Sequence, residues 1–240
     1  HNFVIVSVVG QLVAANVTMS VSQESTLFAV ARGPEGDRGW AFNLATLSGL
    51  PDTQDVAVGL HLSEVLVIVE GASSVTAVSD CATRNAMAMN VAMGTNLRGS
   101  RGGLHYILEA CVVIIRQNGT SITASATGRT SIAAANVYIF SSQLDLFPLS
   151  LEQGGFFTLN ASLVAIYIDD GVTLTAFSAG GITANVALYS VLAARIFLIH
   201  IFVMGGAFLN ATSQGDRNSR GARNVQLHSN SIVAAALHVV

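Results

Sequence analysis

The chain has 240 residues, a formal net charge of −3 and 51% hydrophobic residues, but only 10% charged residues. This length is sufficient to bury a sizeable core. The balance of charge excludes the basic stripe that marks a nucleic-acid-binding domain. Two cysteines, Cys81 and Cys111, are too few for a disulfide framework and show no metal-ligand spacing, and whether they pair stays open.

Short apolar runs separated by turn residues fill the first hundred residues and predict strands. They cover residues 3–9, 16–21, 27–31, 40–50, 56–69 and 73–79. The β-branched stretch 65–69 is typical of a strand buried on both faces, as in parallel sheets. Glycine-rich loops are predicted at 32–39 and 94–103, and the Ala- and Met-rich segment 82–93 is interpreted as a helical turn.

An internal repeat dominates the second half of the chain. Residues 102–128 match residues 154–180 at a spacing of 52 without a gap, and a weaker copy begins at Gly205-Gly206, where Leu209–Thr212 resembles 159–162. We predict a single domain over 1–240, with copies at about 102–153, 154–204 and 205–240. A weaker copy is expected at about 39–101.

A second periodic pattern is Asn-Val-x-aliphatic. It begins at five asparagines: Asn16, Asn90, Asn136, Asn185 and Asn224. The last four recur at intervals of roughly 40 to 50 residues, which is a repeat period typical of solenoids. Asparagine tolerates the left-handed backbone conformation, so we expect each one to open a strand after a corner. In stacked strands such residues are expected to form side-chain ladders at the corners.

A repeat of about 50 residues, built from strands and Gly/Asn turns, predicts two stacked coils of about 25 residues each. The predicted fold is therefore all-β, a right-handed parallel β-helix or solenoid. The alternative is a membrane helix at 186–209, because this run is interrupted only by Arg195 and His200 and is long enough to span a bilayer. An arginine near the middle of the run weighs against that alternative.

Catalytic chemistry finds little support in the residue pattern. Asp169-Asp170 is the only paired carboxylate and resembles the acid and base of polysaccharide hydrolases, but the aligned residues are Gln117-Asn118. Asp-Gly is an ordinary turn signal, so we interpret this pair as a turn. Arg116 and Arg195 lie in apolar runs and resemble a lyase base, but without an acidic cluster they are expected at coil edges. We predict no catalytic, cofactor-binding or metal-binding residues and no cofactor.

Four Asn-x-Ser/Thr sequons are candidate glycosylation sites, and all would need exposed asparagines. They are Asn16, Asn118, Asn160 and Asn210.

The Gly-Gly-aromatic starts, the Asn-Val-x-aliphatic strands and the Arg-only, Ala/Val/Ser-rich composition resemble the dispersed gene family of trypanosomatid surface proteins. The resemblance covers about residues 16–240. It implies pectin-lyase-like β-helices within very large cell-surface glycoproteins that carry membrane segments. We accordingly expect this chain to be a fragment of a longer protein that is anchored in the membrane.

The expected function is that of a non-catalytic cell-surface solenoid that presents an extended face for adhesion or for host or matrix interaction. The expected partner is an extracellular protein or a glycan, not a nucleic acid. One alternative is a carbohydrate-active β-helix enzyme, a polysaccharide lyase or hydrolase. The other is a membrane-associated segment with a helix at 186–209.

Overall fold

The computed structural model describes residues 2–7, 11–33, 39–48, 59–81, 86–96, 104–127, 133–142, 157–179, 182–190, 193–214, 222–228, 231–234 and 237–240. The regular structure of these residues consists of 23 strands in four parallel sheets, which we name A to D. The protein is therefore all-β with parallel sheets, as the sequence predicted.

Sheets A and B each contain six strands. In pairing order, sheet A consists of β1 (Phe3–Ser7), β5 (Trp40–Ser48), β9 (Met87–Asn96), β13 (Ala133–Ser142), β17 (Ile182–Ser190) and β21 (Ala222–His228). Sheet B consists of β2 (Gln11–Ala15), β6 (Gly59–Ser63), β10 (Leu104–Glu109), β14 (Phe157–Ser162), β18 (Ala193–Ile196) and β22 (Ser231–Ala234).

Sheet C also has six strands, and sheet D has five. Sheet C consists of β3 (Thr18–Val21), β7 (Leu66–Val69), β11 (Val112–Ile115), β15 (Val164–Ile168), β19 (Ile199–Val203) and β23 (Leu237–Val239). Sheet D consists of β4 (Thr26–Gly33), β8 (Ser74–Cys81), β12 (Ser121–Ala126), β16 (Thr173–Ser178) and β20 (Phe208–Ser213).

Each strand pairs in parallel with the strand four positions later in the chain. The chain visits sheets A, B, C and D in order and then returns to sheet A, and we call each such set of consecutive strands a rung. The number of residues in a rung varies along the chain. Among the described pairs, Thr173 and its partner Phe208 are close together in sequence, whereas Leu104 and its partner Phe157 have the largest separation. The expectation of two coils per repeat is therefore wrong, because a single rung of up to four strands accounts for each repeat.

The 52-residue repeat coincides with the pairing in sheet D, where Ser121 pairs with Thr173. In sheets B and C the offset is one residue longer, and the turn before sheet D absorbs the difference. The predicted third copy is in a different register. Leu209 and Asn210 pair with Leu174 and Thr175 in sheet D, so their likeness to 159–162 of sheet B is not a structural equivalence.

Alternating burial explains why these segments form strands. In β8, β12 and β16, every second side chain is buried, and the intervening side chains are half-exposed or exposed. Val75, Ile122 and Leu174 of successive rungs join the main core cluster, whereas the buried alanines Ala77 and Ala124 of β8 and β12 belong to a second cluster. Residues 65–69 behave in the same way: Val67 and Val69 are buried but Leu66 and Ile68 are not, so the expectation of a strand buried on both faces is wrong.

In the first four rungs, a left-handed residue makes the corner between sheets B and C. The four residues at this corner in successive rungs have φ between 50° and 55°: Asn16, Glu64, Ala110 and Leu163. The first three donate their backbone N–H to a carbonyl of the next rung, at 2.9–3.0 Å. A single residue in this conformation redirects a strand without an added loop, but side chains other than glycine and asparagine adopt it at a cost.

An asparagine ladder runs through the interior along sheet A. The Asn43 amide nitrogen donates to Asn90 Oδ1 at 2.7 Å, and the same contact links Asn90 to Asn136, Asn136 to Asn185, and Asn185 to Asn224. Asn2 donates to Asn43 at the start of the ladder. Four of the five motif asparagines thus form a ladder, but they lie within the sheet A strands, so the expectation that they open strands at corners is wrong for them. Asn16 alone has the expected left-handed conformation, at the B–C corner before β3.

Backbone carbonyls of sheet D complete the ladder. The amide nitrogens of Asn43, Asn90 and Asn136 also donate to carbonyl oxygens of sheet D, at 2.7–3.0 Å. The strand pairing in sheet A omits the asparagine, and two adjacent side chains such as Asn43 and Leu44 are both directed inward. The ladder therefore lies at a bend inside the sheet A strands, and it satisfies polar groups that would otherwise be buried without partners.

Both segments for which a helix was considered, the interpreted helical turn at 82–93 and the alternative membrane helix at 186–209, contain strands. The segment interpreted as a helical turn forms β9 from Met87 onward, and residues 82–85 lie outside the described residues. The run 186–209 forms the end of β17, then β18, β19 and the start of β20, with 191–192 outside the described residues. Within the part of the chain that the structure describes, no helix has the length and apolarity to cross a bilayer. The buried inner faces of the sheets accommodate the apolar residues of this run, so their apolarity does not require a membrane.

Candidate interaction surface

The outer face of sheet C carries an exposed apolar surface. Each of its strands directs alternate side chains outward, and these outward side chains are half-exposed or exposed from the second rung to the fifth. We call this surface the sheet C strip, which consists of Leu66, Ile68, Val112, Ile114, Ala165, Tyr167, His200 and Phe202. An apolar patch of a few hundred Å² on a protein surface is often functional.

Parallel register places these side chains in two columns. Ile68, Ile114, Tyr167 and Phe202 follow one another from rung to rung. The rings of Tyr167 and Phe202 are stacked, with centroids 5.0 Å apart and planes 2° from parallel. His200 stacks beside Phe202 at 5.4 Å. Because the Tyr167 and Phe202 rings face each other, their edges form an apolar ridge toward solvent instead of an open platform.

A column of alternating charge borders the strip at the corner toward sheet D. Glu70, Arg116 and Asp169 occupy this column in consecutive rungs, and the Arg116 Nε atom donates to Glu70 Oε2 at 2.5 Å. The Arg116 side chain is 46% exposed, so the ion pair contributes less than about 1 kcal/mol to stability. The column contributes to recognition because it presents a negative, a positive and a negative charge in a fixed order beside an apolar surface.

Asp169-Asp170 is a turn, as interpreted from the sequence. The backbone N–H of Asp170 donates to Asp169 Oδ1 at 2.9 Å, which is a local turn contact. The Asp170 carboxylate lies against Gly206, where an added Cβ would be 1.5 Å from its oxygen. In the described residues, no group of three or more His, Cys, Asp and Glu side chains is arranged to hold a metal ion.

The two arginine candidates lie on different sheets. Arg116 is exposed beside the sheet C strip, in agreement with its expected position at a coil edge. Arg195 belongs to β18 of sheet B, with its backbone opposite Asn160 and Val233, and its side chain lies outside the described residues. The backbone positions of the two arginines therefore do not define one shared site.

The four sequon asparagines lie at the surface on different elements. Asn16 is exposed at the B–C corner, and Asn118 is exposed in the turn between β11 and β12. Asn160 is half-buried on β14, and Asn210 is exposed on β20, where Thr212 Oγ1 donates to its Oδ1 at 3.3 Å. Glycosylation at these positions remains a prediction.

The two cysteines are buried and unpaired. Cys111 follows the B–C corner, with its sulfur 3.7 Å from the Leu62 carbonyl oxygen. Burial raises the pKa of the Cys111 thiol to about 11, so it is protonated at neutral pH and is a poor nucleophile. Burial likewise raises the pKa of Tyr106, whose hydroxyl donates to the Met93 carbonyl oxygen at 2.6 Å.

The sequence reasoning missed the sheet C strip because short apolar runs were assigned to the core. A usable signal was present in the residue that follows each run. Glu70, Arg116 and Asp169 share the alternation parity of Ile68, Ile114 and Tyr167, respectively, so the charged residue identifies which half of each run faces solvent.

No family model, curated protein or solved structure matches this chain. Its function is therefore inferred from the geometry alone.

Proposed function

We propose that the chain is a right-handed parallel β-helix of the pectin-lyase-like type, which serves as a non-catalytic binding solenoid at the cell surface. The repeated order of sheets A, B, C and D and the pairing of each strand with the fourth strand after it support the solenoid. The right-handed sense follows from the general handedness of parallel crossovers.

The observation that carries the proposal is the sheet C strip. Its apolar columns cross four rungs, and solenoids commonly bind partners through such extended faces. The proposed partner is an extracellular protein or a glycan. The proposed location is the cell surface, with anchorage through a longer parent protein and with glycans on the exposed sequons.

The proposal is tested by the adhesion of chain-coated beads to extracellular matrix proteins, glycan arrays and cell layers. Replacement of Tyr167 and Phe202 by serine removes the aromatic ridge, and we expect adhesion to fall by at least about tenfold. Phe28→Ser is the matched control, because Phe28 is 58% exposed on the outer face of sheet D. Equal adhesion by all three proteins would contradict the proposal.

A further inference from the structure

The sheet C strip consists of two unlike halves. The half on the second and third rungs is aliphatic, with Leu66, Ile68, Val112 and Ile114, whereas the half on the fourth and fifth rungs carries the rings of Tyr167 and Phe202. The aromatic half also contains the small side chain Ala165 and the imidazole ring of His200. Interfaces pack best where large side chains face smaller ones.

A single symmetry operation brings these halves into contact. A twofold axis parallel to the strands lies between β11 and β15. It places the third rung of one copy opposite the fourth rung of a second copy, and the second rung opposite the fifth. Ile114 then faces Tyr167 of the second copy, and Ile68 faces Phe202. Val112 faces Ala165 and Leu66 faces His200, so the aliphatic side chains of one copy meet the aromatic and small side chains of the other along both columns.

The bordering charges agree with this axis. The same operation places Arg116 against Asp169 of the second copy, and it does so twice, once on each side of the axis. An axis through β11 would place Arg116 against Arg116, and an axis through β15 would place Asp169 against Asp169. An axis between β7 and β11 would pair Arg116 with Glu70 but would leave Phe202 without an opposing rung.

We propose that the partner of the sheet C strip is a second copy of this chain, in a closed face-to-face dimer about the axis between β11 and β15. This inference rests on the proposed function, because it names the partner of the same surface. With strands about 4.8 Å apart and residues about 3.3 Å apart, four rungs offer roughly 300 Å² of flat area per copy. A stable dimer needs about 800 Å² per partner, so each contact is weak.

Weak contacts suit a protein that is displayed in many copies. Two opposing surfaces that each carry the chain form many such contacts at once, and the combined strength exceeds that of one contact by orders of magnitude. The proposed adhesion is therefore homotypic, with like molecules on facing surfaces as partners.

The first measurement is sedimentation velocity of the 240-residue chain over a concentration series, at low and high salt. We expect a reversible dimer with a dissociation constant of roughly 100 µM, weakened by salt because exposed charges contribute to it. A species that stays monomeric at millimolar concentration overturns the inference. An open series of trimers and larger species also overturns it, because head-to-tail stacking of unpaired strand edges does not close.

Two charge-reversal variants test the axis itself. Arg116→Glu places two acidic groups against each other across the axis, and Asp169→Arg places two basic groups there, so each variant alone should be monomeric. An equimolar mixture should dimerise, because the introduced glutamate of one variant would meet the introduced arginine of the other, while the native Asp169 and Arg116 still pair. Arg223→Glu, an exposed reversal on β21, is the matched control and should dimerise like the unaltered chain.

The variants should keep the far-UV circular dichroism spectrum of the unaltered chain, which confirms that they are folded. Dimers in either single variant, or monomers in the mixture, overturn the proposed axis. If the unaltered chain is monomeric yet its beads adhere to matrix or glycan through Tyr167 and Phe202, the homotypic partner is wrong while the proposed binding function stands.

Discussion

At the residue scale, the B–C corner requires a left-handed backbone conformation, but the residue types at this corner differ in how readily they adopt it. Asn16 suits the left-handed region, whereas Glu64, Ala110 and Leu163 adopt it at a cost of about 1–2 kcal/mol each. The corner is maintained because the flanking strands are paired on both sides, so the stack determines the conformation of the single residue between them. These corners store strain that substitutions can remove.

Leu163→Asn should therefore stabilise the protein. Leu163 has a φ of 54° and is 53% exposed, so asparagine relieves the backbone without loss of core packing. We expect the free energy of unfolding in urea to rise by about 1 kcal/mol. Leu163→Ala is the control, since it also removes the exposed side chain but keeps the unfavourable φ. Equal effects from the two substitutions would show that backbone strain is not the cause.

At the element scale, the asparagine ladder joins each sheet A strand to its neighbour and to sheet D. Asn136 accepts from Asn90 and donates to Asn185 and to the Thr175 carbonyl, so it occupies three hydrogen bonds in a buried position. Because the side-chain pattern repeats only in the correct register, the ladder selects one stacking of the rungs over slipped alternatives.

Asn136→Ala should destabilise the protein strongly. It leaves Asn185 Oδ1 and the Thr175 carbonyl without their donor, and each unsatisfied buried group costs about 1–3 kcal/mol. We expect a loss of about 3 kcal/mol in the free energy of unfolding, measured by chemical denaturation. Asn160→Ala is the control, since Asn160 is half-buried on the outer face of sheet B, and its loss should change stability by less than about 0.5 kcal/mol. A similar loss in both variants would contradict the role of the ladder.

At the scale of the whole molecule, the four sheets decide which apolar side chains are interior. Ile201 is 2% exposed and belongs to the core, whereas its neighbour Phe202 is directed outward on the sheet C strip. A membrane helix over 186–209 would treat the two residues alike. The stacked sheets place them in opposite environments.

This difference predicts unequal effects of the same substitution at adjacent positions. Ile201→Asp buries a carboxylate and should cost more than about 4 kcal/mol or prevent folding. Phe202→Asp loses only partial burial and ring stacking on the outer face and should cost about 1–2 kcal/mol. Thermal unfolding at low protein concentration, followed by circular dichroism in detergent-free buffer, measures both. The unaltered chain should show a β-type spectrum, and helical bands or equal effects of the two variants would contradict the sheet assignment.

Much of the architecture was accessible from local patterns. Alternating apolar residues predicted strands, and the recurrence of Asn90, Asn136, Asn185 and Asn224 coincides with the rung-to-rung contacts of the ladder along sheet A. Asn43 and Asn2 escaped the motif because leucine and phenylalanine, not valine, follow them. The ladder was expected at corners, and only the structure shows that it occupies a bend within sheet A.

Strand formation and the regular recurrence of the asparagines could be predicted without the structure, because both depend on neighbours along the chain. The four strands per rung, the one-residue shift between sheets C and D, and the outward direction of Tyr167 and Phe202 became visible only in the folded protein. These features depend on which rung lies beside which, and short apolar runs carry no information on the face that their neighbours will cover.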